Sequence, residues 1–156
     1  MQGGLLCPAL LLALAVVGAS GDSPAWNLAG CWTNQLGSTA DIKMDDSGIL
    51  RGTYKSKVSS VGKQVQGDLV GYQLNSDQPT FGFVVKWTTE SVRGSVTVWT
   101  GQMFDINACQ TLNAMWLLRR KSSADNNWGA TRTGLDVFRR CDEKCGSAHR
   151  DGALGG

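Results

Sequence analysis

The sequence predicts an all-β protein, an eight-stranded antiparallel up-and-down β-barrel. Three observations predict it. Between about residues 29 and 140 apolar and polar residues alternate in short runs, with almost no helical period. Clusters of Gly, Asn, Asp and Ser break these runs at short intervals, and such residues tolerate tight or left-handed turns. Connections this short favour antiparallel neighbours in chain order, and eight strands so joined can close into a barrel that removes exposed edges and encloses room for one small ligand.

The predicted strands run as follows. The first, about 29–36, places Trp32, Asn34 and Leu36 on one face and ends at Gly37-Ser38. The second, 39–45, ends in Asp45-Asp46-Ser47-Gly48. In the third, 49–57, Tyr54 and Ser56 oppose Lys55 and Lys57; the lysines mark the outside, so Tyr54 and Ser56 point inward. A Ser59-Ser60-Val61-Gly62 loop leads to the fourth strand, 66–74, and Asn75-Ser76-Asp77-Gln78-Pro79 to the fifth, 80–88. Ser91-Val92-Arg93-Gly94 precedes the sixth, 94–104, where Ser95, Thr97 and Trp99 oppose Val96 and Val98. After Asp105-Ile106-Asn107 the seventh spans 111–121, and after Ala124-Asp125-Asn126-Asn127 the eighth spans 130–140, with Gly134, Asp136 and Phe138 opposite Leu135 and Val137.

Composition narrows the function. The chain has 156 residues, 42% of them hydrophobic and only 18% charged, too apolar for disorder and sparing enough in charge to imply surface hidden somewhere besides the core. The net charge of +2 includes no basic block, which leaves nucleic-acid binding without electrostatic support. One histidine, His149, excludes a histidine-based triad or a multi-histidine zinc site within this chain, and no G-x-S-x-G elbow supports a serine hydrolase. Residues 1–20, with the apolar run Leu10–Val17 followed by Gly18, Ala19 and Ser20, read as a secretory signal cleaved near 18–22. No other run approaches membrane-spanning length, so the mature protein is expected to be soluble and extracellular, with no membrane partner. Cleavage removes Cys7 and leaves Cys31, Cys109, Cys141 and Cys145; in an exported chain these point to disulfides rather than zinc, with the pairing open. Residues 141–156, rich in Gly, Ser and charge, read as a flexible tail.

The alternation makes the interior a mixture of rings and hydrogen-bonding groups: Trp32, Asn34, Tyr54, Ser56, Ser95, Thr97, Trp99 and Asp136. Polar groups inside are costly unless paired, and a rigid polar ligand could pair with them. Val96, Val98, Leu135 and Val137 then face outward, which suggests that another subunit covers them.

These residues carry a resemblance. Gly30-Cys31-Trp32-Thr33-Asn34-Gln35-Leu36-Gly37-Ser38 resembles the G-x-W-x-N-x-L-G-S first strand of the avidin and streptavidin family. Gly52-Thr53-Tyr54, Gln78-Pro79-Thr80-Phe81-Gly82-Phe83 with Trp87, Trp99-Thr100-Gly101-Gln102, Met115-Trp116-Leu117-Leu118 and Asn127-Trp128-Gly129-Ala130-Thr131-Arg132 with Gly134 resemble later motifs in the same order, so residues 24–140 are expected to form an avidin-like barrel. The resemblance implies a non-catalytic biotin binder with no cofactor. Asn34, Ser38 and Tyr54 would donate to the ureido oxygen; Asp136 and Ser56 would accept its N–H groups; Thr97 would sit near the sulfur. Ser59, Ser60 and Ser95 would meet the valerate carboxylate. Trp87, Trp99 and Trp116, with Leu36 and Leu118, would wall the ring and tail, and Trp128 would reach into a neighbouring subunit's pocket in a homotetramer.

Departures from the pattern stand beside it. Trp26 and Met103 occupy the positions of the family's disulfide, Val61 replaces a hydroxyl residue, and Thr133 makes the expected subunit contact more polar. Competing expectations are a lipocalin-like carrier of a larger apolar ligand, which would want an apolar interior, and a Trp128 that covers its own barrel mouth. Lys55, Lys57, Arg119, Arg120, Arg139 and Arg140 are expected to form a solvated face.

Overall fold

A computed structural model describes residues 26–58, 62–107 and 109–142. The expected signal segment, Ser59, Ser60, Val61, Cys145, His149 and the tail beyond 142 lie outside the described residues. Eight strands follow one another around a closed antiparallel barrel: β1 Gly30–Asn34, β2 Thr39–Met44, β3 Ile49–Ser56, β4 Val65–Gln73, β5 Thr80–Trp87, β6 Ser95–Asp105, β7 Gln110–Arg120 and β8 Thr131–Arg140. Each strand pairs with the next in sequence, and β1 pairs with β8 to close the wall. Period-2 alternation therefore sorts side chains cleanly. In β4 every second residue from Val65 to Gln73 is buried, and in β6 Ser95, Thr97 and Trp99 are buried while Val96 and Val98 are exposed.

The first strand is shorter than the alternation predicts. The Gly37 N–H donates to the Asn34 carbonyl at 2.9 Å and the Asn34 N–H to the Ser38 carbonyl, also at 2.9 Å. That turn removes Gln35 and Leu36 from the strand. The other boundaries differ from expectation by one residue or so.

One end of the barrel is sealed. The buried side chain of Gln73 accepts the Leu28 N–H at 2.8 Å and donates to the Trp26 carbonyl at 2.7 Å, so the segment before β1 is drawn across the opening. Trp32 is fully buried there and donates its indole N–H to the Leu28 carbonyl at 2.9 Å. Arg140 completes the seal. Its guanidinium lies 4.4 Å from the Trp32 ring centroid, donates to the carbonyls of Ala29 (2.7 Å) and Asn27 (2.8 Å), and reaches Gln110 Oε1 at 2.9 Å. Gly30 is required at this crossing: its φ is +119°, and a Cβ would stand 2.8 Å from the Arg140 guanidinium. Leu28, Leu50, Val85, Met103, Leu112 and Phe138 fill the volume above it, and Trp26 packs against them.

Two expectations about the surface need correction. Arg119 and Arg140 are half-buried and hydrogen-bonded rather than part of a freely solvated face: Arg119 donates to the Asn127 carbonyl and side chain and to Thr131 Oγ1, and Arg140 is used as above. Arg120 faces the barrel cavity, because it shares parity with the inward residues Trp116 and Leu118. A disulfide joins Cys31 to Cys141, 110 residues apart, and the Cys141 N–H donates to the Cys31 carbonyl at 3.0 Å, extending the β1–β8 seam. Cys109 is also disulfide-bonded.

The outer face of β6–β8 is apolar. Val98 is registered with Leu117 and Met115 with Leu135, and with Val96 and Val137 they form an exposed stripe in which Leu135 is 67% exposed.

Candidate ligand-binding site

Sealing one end leaves the other as the entrance to a cavity of about 240 Å³. Twelve of the residues expected from the sequence line it: Asn34, Leu36, Ser38, Tyr54, Ser56, Trp87, Ser95, Thr97, Trp99, Trp116, Leu118 and Asp136. Val58, Val65, Val92, Arg120 and Arg132 line it as well and were not expected. Parity could have found three of them. Val65 is two residues before Gly67 on the buried face of β4, Arg120 is two beyond Leu118, and Arg132 is four before Asp136. Val58 and Val92 lie outside the strands, where alternation says nothing.

The floor is a network of oriented polar groups. Asn34 Oδ1 accepts the N–H groups of Leu36 (3.1 Å) and Ser38 (2.9 Å), which turns its amide nitrogen inward, where Nδ2 donates to Asp136 Oδ1 at 3.1 Å. Ser38 Oγ accepts the Lys57 N–H at 3.1 Å and is hydrogen-bonded to the Tyr54 hydroxyl. Asp136 is 4% exposed and accepts from Trp99 Nε1 at 2.9 Å and from Gln35 Nε2 at 3.5 Å. Burial pushes its carboxyl above the ordinary carboxylate value, and the Trp99, Asn34 and Gln35 donors pull it partly back. Burial, with the nearby Asp136 charge, raises the Tyr54 phenol far above its ordinary value, so it remains a protonated donor. Arg132 shares the cavity with Asp136, yet no salt bridge joins them among the described residues.

Each remaining hydroxyl has a defined sense. Ser56 Oγ donates to the Val58 carbonyl at 2.5 Å, so its free lone pairs face the cavity as acceptors. Thr97 Oγ1 accepts the Trp87 indole N–H at 2.9 Å. Ser95 Oγ donates to the Val92 carbonyl.

The walls are stacked rings. Tyr54 and Trp99 lie 4.8 Å apart at 29°, Phe83 and Trp99 5.2 Å apart at 25°, and Trp87 meets Tyr54 edge-on at 5.8 Å. Trp116 lies over Gly134, where a Cβ would fall 2.4 Å from the indole Cζ2. Trp128 is different: it sits on the 3-10 turn Trp128–Ala130, is 85% exposed, and is not part of its own cavity wall. The expectation that it covers its own barrel mouth is therefore not met.

The sequence model of the Avidin family matches residues 23–141. The chain belongs to the avidin family. Avidin of Gallus gallus is 38% identical over 138 residues, covering 84% of this chain and 89% of the relative. Avidin-related protein 4/5 of the same organism is 41% identical over 136 residues, with the same coverage. Among solved structures, Xenavidin superposes with a TM-score of 0.68 at 39% identity, covering 74% of this chain and 98% of that one. A biotin binding protein from chicken superposes with a TM-score of 0.65 at 39% identity, covering 72% and 94%. Membership in the avidin family makes this a non-catalytic protein. In this avidin-family barrel Trp26 and fully buried Met103 serve as packing residues, and Cys31–Cys141 is one of the staples.

Proposed function

We propose that this protein binds biotin in the open end of its barrel, without a cofactor, as a secreted vitamin-sequestering or vitamin-carrying homotetramer. One observation carries the reading: the cavity floor sets the donors Asn34 Nδ2 and Tyr54 Oη beside the acceptors Asp136 and Ser56 Oγ. A ureido group has one acceptor oxygen between two N–H donors, and that floor is its complement. Asn34, Ser38 and Tyr54 receive the oxygen, Asp136 and Ser56 receive the N–H groups, Thr97 lies near the sulfur, and Trp87, Trp99, Trp116, Leu36 and Leu118 enclose the ring and tail. From the sequence, Ser59, Ser60 and Ser95 are the hydroxyls assigned to the carboxylate end; of these only Ser95 is among the described residues, and it lines the cavity.

Membership in the family and the likeness to the biotin binding protein from chicken support this ligand. The exposed stripe of Val96, Val98, Met115, Leu117, Leu135 and Val137 supports assembly, with Trp128 directed outward to a neighbouring copy's cavity. Secretion follows from the leader at residues 1–20, cleaved near 18–22, ahead of a barrel domain at 24–140 and a tail at 141–156. A lipocalin-like carrier of a larger apolar molecule is not favoured, because the floor would bury Asp136 and Asn34 against hydrocarbon.

Thermal unfolding with and without biotin tests the proposal. A ligand at a thousand times its Kd stabilises the folded state by about 4 kcal/mol. The expected result is a clear rise in Tm with biotin and none with a long-chain fatty acid. An unchanged Tm and no heat on calorimetric titration with biotin would reject it.

A further inference from the structure

The polar groups of the cavity are unevenly spread along its length. Asn34, Ser38, Tyr54 and Asp136 hold the floor. Arg132 stands four residues before Asp136 on β8, on the same inward face and roughly 13 Å along the strand toward the mouth. Arg132 is registered with Leu118, and Arg120 lies two residues beyond Leu118, opposite Ser95. The two arginines are thus diagonal neighbours on the cavity face of β7 and β8.

Among the described residues neither guanidinium is ion-paired or hydrogen-bonded, and Asp136 is the one acidic residue of the cavity wall. Two like charges side by side repel until an anion joins them. The hydroxyl that shares this rim offers an anion little: Ser95 Oγ commits its proton to the Val92 carbonyl, leaving lone pairs that would face a carboxylate's own. Among the described residues that line the cavity, the charged donors at this end are the arginines.

We propose that Arg120 and Arg132 form an anion-recognising rim that selects ligands whose tail ends in a free carboxylate over the same ligands esterified or amide-linked. The proposal rests on the biotin reading above. Biotin's ureido group and carboxylate stand at opposite ends of an extended molecule, as the floor and the rim stand at opposite ends of this cavity. Planar guanidinium groups suit a carboxylate's two oxygens, and the partial exposure of both side chains puts the gain at the low end for charge-assisted hydrogen bonds, about ten-fold. The rim would make this protein favour the free vitamin by about ten-fold over biotin attached to lysine side chains.

Dissociation of biotin and of biotin methyl ester, followed in parallel from the full chain, tests the rim. The native protein is expected to hold the acid about ten-fold longer than the ester, and added salt should narrow the ratio. These two readings need no variant. An Arg120→Gln/Arg132→Gln double variant should bring the ratio close to one, and Arg120→Lys/Arg132→Lys should keep much of it. A native ratio near one, or the same ratio in the native protein and the glutamine double variant, overturns the rim while leaving the biotin reading intact. If neither acid nor ester binds, the biotin reading falls and the rim falls with it.

Discussion

Asp136 is a buried carboxyl held, among the described residues, by three neutral donors and no ion pair, and that gives it a definite pH signature. Its folded pKa lies above its ordinary value of 3.8. The folded state therefore binds this proton more tightly than the unfolded state does. Its contribution favours folding below about pH 3.8 and is lost as the pH climbs through the raised folded value. Ligand binding runs the other way, because a donated N–H favours the ionised form. Biotin affinity should therefore fall as the pH is lowered through that raised value. Asp136→Asn should remove this dependence, stabilise the ligand-free protein at neutral pH, and weaken biotin about ten-fold by replacing a charge-assisted bond with a neutral one. Dissociation rates and melting curves across the acid range check all three; an equal pH slope in the variant would assign the effect to another group. The inward placement of Asp136, Trp99, Thr97 and Ser95 was legible in the sequence because neighbouring residues on a strand face opposite ways. Arg120 obeyed the same rule and was misread, because a charged side chain at a barrel mouth can lie inside the wall and still reach water.

At the scale of elements, the seam between β1 and β8 is the short ladder of the barrel, registered only from Trp32↔Arg140 to Asn34↔Phe138. The β6–β7 ladder, by comparison, runs from Ser95↔Arg120 to Asp105↔Gln110. The Cys31–Cys141 bond lies at the end of the short seam, where fraying would begin. Replacing both cysteines by serine should cost roughly 2–5 kcal/mol and concentrate amide exchange in β1 and β8. Denaturant unfolding of the double variant measures the first and hydrogen exchange the second; unchanged stability would mean that Arg140 and the Trp32 plug hold the seam alone. The strands themselves were readable from alternation and turn chemistry. β1 was overextended because Gln35 and Leu36 keep the alternating pattern while the Asn34–Ser38 hydrogen bonds have already turned the chain. Leu36 still reaches the cavity, but from a loop.

At the scale of the whole molecule, the exposed stripe on β6–β8 and the outward Trp128 belong to the same argument. A hydrophobic face this continuous is unusual on a lone barrel, and an indole that is 85% exposed contributes little to its own fold. Trp128→Ala should therefore leave the melting of the ligand-free barrel nearly unchanged and speed biotin dissociation by roughly ten-fold or more, the scale of a lost aromatic contact at an interface. Leu135→Arg should lower the subunit count in native mass spectrometry and reproduce the faster dissociation. Biotin dissociation that ignores both substitutions would show a self-sufficient barrel.

The sequence by itself determined the all-β class, the order of the eight strands and nearly every inward-facing residue, because strand alternation and turn chemistry are local and survive without knowledge of partners. It also carried the family motifs. The tertiary structure alone decided the pairing of Cys31 with Cys141, which end of the barrel the Gln73–Leu28–Trp32–Arg140 cluster seals, and the placing of Arg120 and Arg132 on neighbouring strands of the cavity wall at the other end. Each of these depends on register between segments distant in sequence, and alternation within one strand sets the face of a residue but not its neighbour across the sheet.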